Sequence, residues 1–242
     1  MLIPCVLVLG IDTSGRQGSV ALLRAQGDEL LTLDLAELSG GQYSELLVPT
    51  VARLLVRHGF ERSSIGLIGV ASGPGSFTGL RIAIATVKGL AEAFDTPVVA
   101  ISVLEAIALA AGRGGKVVAA IDAQRAEVFF GEYLVESSTS VAARLNREAV
   151  CSFADFTSLS GAGGPAATVC TPDPGLAARI SEAGIDVEIL ARPSAEAFAR
   201  IAYRKFLTGI RADVATLDAN YLRRSDAELF SKPKPGTVHH LP

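Results

Sequence analysis

The spacing of apolar and polar positions changes along the chain, and these changes predict the order of strands and helices. Continuous apolar runs at residues 5–12, 19–23 and 30–36 are typical of strands. The polar residues 24–28 between the second and third runs predict a hairpin turn. From residue 42 to residue 58 the apolar side chains recur at helical spacing. The first part of the chain is therefore predicted to form three strands followed by a helix.

A glycine-rich loop at residues 71–81 is the most specific local pattern. An apolar run at 65–70 precedes it and an alanine-rich segment at 82–94 follows it, which predicts a strand, a turn and a helix with Thr78 as N-cap. No lysine follows Gly79, so the loop departs from the Walker pattern, and its glycine spacing departs from the dinucleotide-binding pattern. We interpret the loop as structural, and its key residues as Gly73, Pro74, Gly75, Ser76, Thr78 and Gly79.

The second half of the chain repeats the element order of the first. A predicted strand there ends in Ile121-Asp122, as the first strand ends in Ile11-Asp12. The repeat predicts a duplicated α/β unit, with an N-terminal lobe at residues 1–104, a C-terminal lobe at 105–230 and a mobile tail at 231–242. Predicted strands of the second half are 116–122, 127–134, 144–150, 167–170 and 187–190, and predicted helices are 153–159, 175–183 and 194–207.

Composition narrows the class of protein. Of the 242 residues, 49% are hydrophobic and 19% are charged, which is typical of a folded chain with a large core. The formal net charge of −3 argues against broad nucleic-acid binding, so any contact with a polyanion must be local or supplied by a partner. The three cysteines form no Cys-x-x-Cys motif, and no apolar run reaches membrane-spanning length. We therefore expect a cytoplasmic protein without disulfides or contact with a membrane.

The candidate phosphate or metal chemistry lies in two turns. Asp12 ends the first predicted strand, and Thr13 and Ser14 follow it, so these residues could hold a metal, water or phosphate; a plain Asx turn is the alternative. Asp122 is expected to face Asp12 if the halves are related. However, residues 123–126 contain no glycine, which argues against close approach of an ATP phosphate. No cofactor and no metal are expected.

Two helices of the first half are candidates for a partner surface. The helix over residues 80–94 carries few charges and is apolar around most of its circumference. Such a helix either packs against a partner or is buried under the second lobe, and the sequence leaves both possibilities open. The candidate interface residues on the two helices are Tyr43, Leu47, Val51, Leu54, Arg81, Ile84, Ala85 and Lys88.

The remaining polar residues favour no catalytic site. His58 is expected at a helix C-terminus and His239 and His240 in the tail, so zinc ligands at helical spacing and a base for a Ser-His-Asp triad are both lacking. A cluster of basic residues toward the end of the chain either contacts RNA phosphates or forms a solvated helix face. These residues are Arg200, Arg204, Lys205, Arg211, Arg223, Arg224, Lys232 and Lys234.

Several of these segments together resemble the bacterial TsaB (YeaZ) family, in order over nearly the whole chain. The segments are Gly10-Ile11-Asp12-Thr13-Ser14 with Ser19-Val20-Ala21-Leu22, Gln42-Tyr43-Ser44-Glu45-Leu46-Leu47-Val48-Pro49, Gly73-Pro74-Gly75-Ser76-Phe77-Thr78-Gly79-Leu80-Arg81, Ala120-Ile121-Asp122-Ala123 with Glu127-Val128, and Tyr221-Leu222-Arg223. The chain departs from the family by carrying Tyr43 where a histidine is frequent, and by lacking a proline before Tyr221.

The resemblance implies a two-lobed actin/Hsp70/sugar-kinase-like fold. It also implies a non-catalytic subunit in the synthesis of N6-threonylcarbamoyladenosine at position 37 of tRNAs that read ANN codons. Implied partners are the catalytic paralogue TsaD, the ATPase TsaE and, when unpaired, a second copy of the chain, with tRNA contacted indirectly through the complex. From the fold and the residues, an ATP-dependent phosphotransferase or ATPase is the alternative, and a metallopeptidase is a third hypothesis that the histidine positions disfavour.

Overall fold

A computed structural model describes residues 6–27, 29–137, 143–162 and 167–222. The first of two five-stranded sheets has the order β3-β2-β1-β4-β5. Strand β1 pairs antiparallel with β2 and parallel with β4, so a hairpin and a crossover meet at the central strand. The strands are β1 (Val6–Asp12), β2 (Gln17–Gln26), β3 (Glu29–Ser39), β4 (Ile65–Gly73) and β5 (Val98–Ser102).

The second sheet repeats this topology. Strand β6 is central, pairs antiparallel with β7 and pairs parallel with β9, and the order across the sheet is β10-β9-β6-β7-β8. Counted from the antiparallel edge, both sheets follow the order third, second, first, fourth and fifth. The strands are β6 (Gly115–Asp122), β7 (Glu127–Val135), β8 (Arg144–Ser152), β9 (Ala167–Thr171) and β10 (Val187–Ile189).

In the described ranges, six α-helices enclose the two sheets, and a 3₁₀ turn, Arg62–Ser64, precedes β4. Helices α1 and α2 pack on the outer face of the first sheet, and α4 and α5 pack on the outer face of the second. Helices α3 and α6 belong to the central core between the sheets. The helices are α1 (Tyr43–Arg57), α2 (Phe77–Phe94), α3 (Val103–Ala110), α4 (Phe153–Ala162), α5 (Pro174–Glu182) and α6 (Ala195–Leu207).

Helix α6 comes late in the sequence but packs on the first sheet. Its buried Phe198 and Ala199 belong to the same core cluster as Val8 of β1. Gly10 permits this close approach, because a side chain there would collide with the carbonyl oxygen of Ala195. Helix α6 therefore connects the two halves, because it follows the last strand of the second half and packs against the first sheet. Its apolar stripe covers the inner face of that sheet, which places the helix in the central core.

The predicted fold class is confirmed: the chain is a duplicated α/β protein with the two-lobed, actin-like arrangement. The division into lobes at residues 104 and 105 stays a prediction, and the tail at 231–242 lies outside the described ranges. A helix near residues 102–111 is present as α3. The part of the chain that the structure describes contains no helix long and apolar enough to cross a bilayer.

Two details of the first sheet differ from the sequence predictions. The hairpin turn is shorter than residues 24–28, because the ladder continues to the pair Gln26 and Glu29. Strand β5 was missed, because its five residues follow Pro97 as one short apolar run with no alternating pattern. Strand β5 pairs parallel with β4 and completes the edge of the first sheet.

Candidate functional site

The turn after β1 is closed on itself. The Oδ1 atom of Asp12 accepts hydrogen bonds from the Ser14 amide at 2.8 Å and from the Ser14 hydroxyl at 2.6 Å. Asp12 is 2% exposed. Burial raises the pKa of its carboxyl group, while the Ser14 hydrogen bonds and the charge of Arg192 act in the opposite direction. Asp12 therefore has the Asx-turn role that the sequence left open as an alternative to ligand binding.

The glycine-rich loop is packed directly against this turn. The amide of Ser76 donates to the Ser14 carbonyl oxygen at 2.8 Å, and the Thr13 hydroxyl donates to the Gly79 carbonyl oxygen at 2.7 Å. A side chain at Gly75 would collide with the carbonyl oxygen of Ser14, and one at Gly79 would collide with that of Thr13. The close contact between two backbones therefore requires glycine at both positions.

The cap of helix α2 differs from the prediction. Ser76, and not Thr78, is the N-cap: its hydroxyl oxygen accepts a hydrogen bond from the Gly79 amide at 3.3 Å. Thr78 lies within the first turn of the helix and is exposed. The helix therefore starts one residue earlier than Thr78, at Phe77, because the loop needs Ser76 to turn toward Ser14.

The equivalent turn after β6 is open. Asp122 is exposed, and its carboxylate accepts hydrogen bonds from the amide and the side-chain amide of Gln124, each at 3.0 Å. Three consecutive non-glycine residues, Gln124, Arg125 and Ala126, have φ values of 62°, 55° and 60°. This backbone region is costly for residues with a Cβ atom, so the turn carries conformational strain.

Asp173 connects the turn after β6 to the start of α5. Its Oδ2 atom accepts a hydrogen bond from the Asp122 amide at 2.8 Å, and Pro174 occupies the first helical turn. Asp173, between Pro172 and Pro174, therefore helps to fix the second turn. The predicted start of this helix at residue 175 was one residue late.

A cleft of ≈ 1890 Å³ separates the two turns and extends to the end of the described chain. The side chain of Asp122 lines it, whereas Asp12 is buried behind Ser14 and Gly15. The charged residues that line this cleft are Arg16, Arg81, Arg125, Arg179 and Arg192, with Asp122 and Asp173. Four of these arginines were not among the residues predicted from the sequence, because they are far apart along the chain and no motif joins them.

Arg192 belongs to both the cleft and the closed turn. It donates to the Ser14 hydroxyl oxygen at 3.2 Å, so Ser14 links Arg192 to the carboxylate of Asp12. The Nε atom of Arg192 is enclosed and has no acceptor within the described ranges. Within the part of the chain that the structure describes, no carboxylate lies within 4.0 Å of Arg192, so no direct ion pair there neutralises the positive charge that it brings to the wall of the cleft.

The candidate interface residues divide into two groups. Arg81 and Ala85 are exposed and Lys88 is half-buried, so these three reach the surface of α2. The other five side chains lie in the core between the first sheet and the helices, and they provide no surface for a partner. These buried residues are Tyr43, Leu47, Val51, Leu54 and Ile84. The interface assignment therefore stays a prediction for the first group alone.

Helix α2 is covered by the chain's own C-terminal segment, residues 210–222. The Arg81 Nε atom donates to the Tyr221 hydroxyl at 3.1 Å, and Lys88 donates to the Ala215 carbonyl oxygen at 3.2 Å. Leu217 and Ala219 join the core cluster of α2. The sequence left open whether a partner or the second lobe covers this helix, and in the structure residues 210–222 cover part of it. Residues 210–222 pack against α2 although this chain has no proline directly before Tyr221.

Several of the basic residues near the end of the chain already have intramolecular partners. Lys205 forms an ion pair with Glu105 at 2.5 Å, and Arg200 pairs with Glu196 at 2.8 Å. Arg211 lies over the ring of Phe206. Arg204 is exposed, and the remaining four basic residues lie outside the described ranges. These contacts leave less of the cluster available to RNA than the sequence indicated.

The histidine prediction is tested only at His58. Its Nε2 atom lies 3.1 Å from Asp34, which also pairs with Arg57, and these contacts hold the pKa of Asp34 below its usual value. His239 and His240 lie outside the described ranges. No group of three or more potential metal ligands of the His, Cys, Asp or Glu type occurs among residues 6–27, 29–137, 143–162 and 167–222.

Comparison with known proteins gives consistent matches. A family model described as TsaD, tRNA N6-adenosine threonylcarbamoyltransferase, matches residues 36–223. The chain is 35% identical over 136 residues to the tRNA threonylcarbamoyladenosine biosynthesis protein TsaB of Haemophilus influenzae, covering 55% of this chain and 56% of the relative. It is 35% identical over 129 residues to TsaB of Escherichia coli, covering 52% and 54%. The chain thus spans about half the length of the curated relatives that it matches.

A solved structure extends the similarity beyond the part of the chain that the curated relatives match. It is a Pseudomonas aeruginosa protein described as uncharacterized with similarity to peptidase YeaZ. The TM-score is 0.71 at 29% identity, and the match covers 90% of this chain and 100% of that protein. The similarity of fold therefore includes both lobes.

Proposed function

The chain belongs to the TsaB (YeaZ) family, and the model of the TsaD family matches its residues 36–223. From this premise we propose a function. The chain acts in the synthesis of threonylcarbamoyladenosine in tRNA, and it does so as a non-catalytic subunit. It pairs with the catalytic TsaD and works with the ATPase TsaE, on tRNAs that read ANN codons. When unpaired, it forms a homodimer.

The closed turn at Asp12 is the observation that carries the non-catalytic role. In a two-lobed fold, a carboxylate at the end of the first strand is placed to hold a metal ion or a water molecule at the cleft. Here that carboxylate is buried and binds Ser14 instead. Freeing it would require the turn to unpack from Gly75 and Gly79. The position is therefore used for packing the lobe.

The exposed surfaces of α1 and α2 support a role in pairing. Val48 is 52% exposed and Val56 is 78% exposed on α1. On α2, Ala85 is exposed within a shallow groove that Arg81, Lys88 and the C-terminal segment border. A specific interface buries about 800 Å² on each partner, which two adjacent helices can supply. Large exposed aliphatic side chains are the groups that such an interface removes from water.

The alternative, an ATPase or phosphotransferase of this fold, is favoured by one observation. The arginines in the cleft could bind the phosphates of a nucleotide, and Asp122 is the carboxylate that faces them. In that case ATP should bind to the isolated chain, and Asp122→Ala should remove the binding. Asp12→Ala should act only through loss of stability, because Asp12 is buried.

Reconstitution tests the proposal. A mixture of threonylcarbamoyl-adenylate synthase, TsaD, TsaE and tRNA is analysed for the modified nucleoside by mass spectrometry, with and without this chain. The proposal expects modification only when the chain is present, and no ATP turnover by the chain alone. Modification at the same rate without the chain would overturn the role, and ATP turnover by the chain alone would favour the alternative.

A matched pair of variants tests the pairing surface. Ala85→Arg adds a long charged side chain to the exposed face of α2 and should abolish co-elution with TsaD. Ala183→Arg makes the same change at an exposed position after α5, in the other lobe, and should leave co-elution intact. Circular dichroism should show that both variants are folded. Unchanged co-elution of Ala85→Arg would place the interface elsewhere.

A further inference from the structure

The charge of the cleft opposes the charge of the whole chain. Among the described residues, the lining contains five arginines, two aspartates and no other residue that is charged at neutral pH, whereas the chain has a formal net charge of −3. Both aspartates already accept hydrogen bonds from the protein: Asp122 from Gln124, and Asp173 from the Asp122 amide. The cleft is therefore a local positive region, which favours an anionic ligand.

The arginines are distributed over both walls. Arg16 follows β1 and Arg81 lies on α2, whereas Arg125 follows β6 and Arg179 lies on α5. Arg192 is on the segment before α6 and contacts Ser14. Charges that are spread along a cleft fit a chain of several phosphates better than one compact anion.

The N-terminus of α2 adds to the positive potential. Its first turn lines the cleft, and neither this turn nor the N-cap Ser76 carries an acidic side chain that would offset the positive end of the helix dipole. The first turn of α5 also lines the cleft, but the carboxylate of its N-cap Asp173 offsets the dipole there. The helix contribution to the arginines therefore comes from the wall that carries α2.

Aromatic side chains accompany the charges. Phe77 is 41% exposed, and Phe129 and Tyr221 are half-buried; all three line the cleft. The guanidinium of Arg81 lies 3.8 Å from the centroid of the Phe77 ring, and the Phe77 and Tyr221 rings are 5.2 Å apart. Arginines along a groove, interleaved with aromatic rings, are typical of surfaces that bind single-stranded nucleic acid by phosphate contact and base stacking.

We propose that this cleft binds a single strand of RNA directly, with the arginines contacting its phosphates and the aromatic side chains contacting its bases. The choice of RNA over DNA rests on the proposed function. The binding itself rests on the charge and lining of the cleft, and it uses no metal. In this role the subunit contributes to holding the tRNA in the complex.

Fluorescence anisotropy of a labelled single-stranded RNA of about ten nucleotides, with the isolated full chain, tests the proposal. Binding should weaken as salt increases, with a slope of log K against log salt near −2 if about three phosphates are contacted. The double variant Arg16→Glu/Arg125→Glu changes both walls and should weaken binding by about tenfold or more. Absence of binding, or an unchanged affinity in this variant, would overturn the proposal.

Two control variants locate the site. Arg62→Glu changes an exposed arginine far from the cleft lining, and Arg204→Glu changes the exposed arginine of the basic cluster on α6. Both should retain affinity within about twofold, apart from the small effect of net charge. A loss caused by Arg204→Glu instead of the cleft pair would assign RNA binding to the C-terminal cluster. Where the glutamate variant fails to fold, Arg16→Gln/Arg125→Gln removes the same charges.

Competition and cross-linking experiments distinguish binding of an RNA strand from binding of a small phosphate anion. Pyrophosphate should displace the RNA only weakly, because it contacts few of the arginines at once; full displacement at equal phosphate concentration would show a small-anion site and overturn the proposal. Ultraviolet cross-linking should label peptides containing Phe77, Phe129 or Tyr221.

The two proposals fail independently. If the chain supports tRNA modification but does not bind RNA, only the inference of RNA binding is overturned. If the chain binds RNA but does not support modification, only the proposed function is overturned.

Discussion

The turns after β1 and β6 occupy the same place in two copies of one topology, yet they are built in opposite ways. Asp12 is buried and bound to its own turn, whereas Asp122 is exposed at the cleft. The first turn is covered by a loop whose glycines permit backbone contact. The second has three residues with a Cβ atom in left-handed conformations.

This difference shows how a duplicated fold can divide its tasks. The first turn became part of the lobe's packing, because its hydrogen bonds join it to the glycine-rich loop and to Arg192. The second turn remained at the surface, where its backbone strain is retained beside the cleft. Strained backbone is concentrated at functional positions in folded proteins, so the second turn is where we expect ligand contact.

Among variants of the closed turn, Gly79→Ala should have the largest effect on stability. The added methyl group would collide with the Thr13 carbonyl oxygen, and we expect a loss of about 3 kcal/mol in the free energy of unfolding. Gly89→Ala is the matched control on the same helix, because nothing lies within 4 Å of a Cβ atom there, and it should gain about 0.5–1 kcal/mol. Urea unfolding measures both. A loss below about 1 kcal/mol for Gly79→Ala would contradict the tight contact.

Ser14→Ala should have the next largest effect. It removes the hydroxyl that donates to the buried carboxylate of Asp12 and accepts from Arg192, so we expect a loss of about 2 kcal/mol. Ser44→Ala, at an exposed position of α1, is the control and should change stability by less than about 0.5 kcal/mol. Equal effects of the two changes on the urea midpoint would show that Ser14 contributes little to holding Asp12.

The pH dependence of stability sharpens the same point. Burial raises the folded-state pKa of Asp12 above its ordinary value of 3.8, so the folded chain binds this proton more tightly than the unfolded chain. The stabilising contribution is therefore complete below the unfolded pKa and is lost as the pH rises through the raised folded pKa. Compared with Asp12→Asn, the wild type should lose free energy of unfolding as the pH rises from about 4 to about 7. A relative gain for the wild type would contradict this direction.

The smallest expected effect is a gain, and it belongs to the second turn. Ala126→Gly relieves one left-handed residue, and after the entropic cost of glycine we expect a gain of about 0.5–1 kcal/mol. Ala123→Gly, at a buried neighbouring position outside the left-handed run, should lose about 1 kcal/mol. Thermal unfolding distinguishes the two. The φ value of 60° at Ala126 indicates strain, and a destabilising effect of Ala126→Gly would contradict it.

Local patterns predicted most elements and few of their contacts. The runs that end at Asp12 and Asp122 were placed as equivalent strands, and the topology confirms the duplication. The start of α2 was misplaced, because both Ser76 and Thr78 can cap a helix and only the contact with Ser14 decides between them. Helical spacing identified the apolar side of α1, but spacing does not say whether that side meets a partner or the chain's own sheet. Tyr43 and Leu47 proved to be core residues.

The sequence by itself determined most of the strands and helices and their repeated order, because periodicity and turn residues act within a few positions of one another. It also marked the glycine-rich loop as structural, since no phosphate pattern explained it; the backbone contact with Thr13 and Ser14 came from the structure. Only the tertiary structure decided that Asp12 is buried while Asp122 is exposed, and that five arginines line one cleft. The reason is physical: burial and local charge depend on which surfaces meet, and residues that are more than a hundred positions apart meet only when both sheets and α6 pack together.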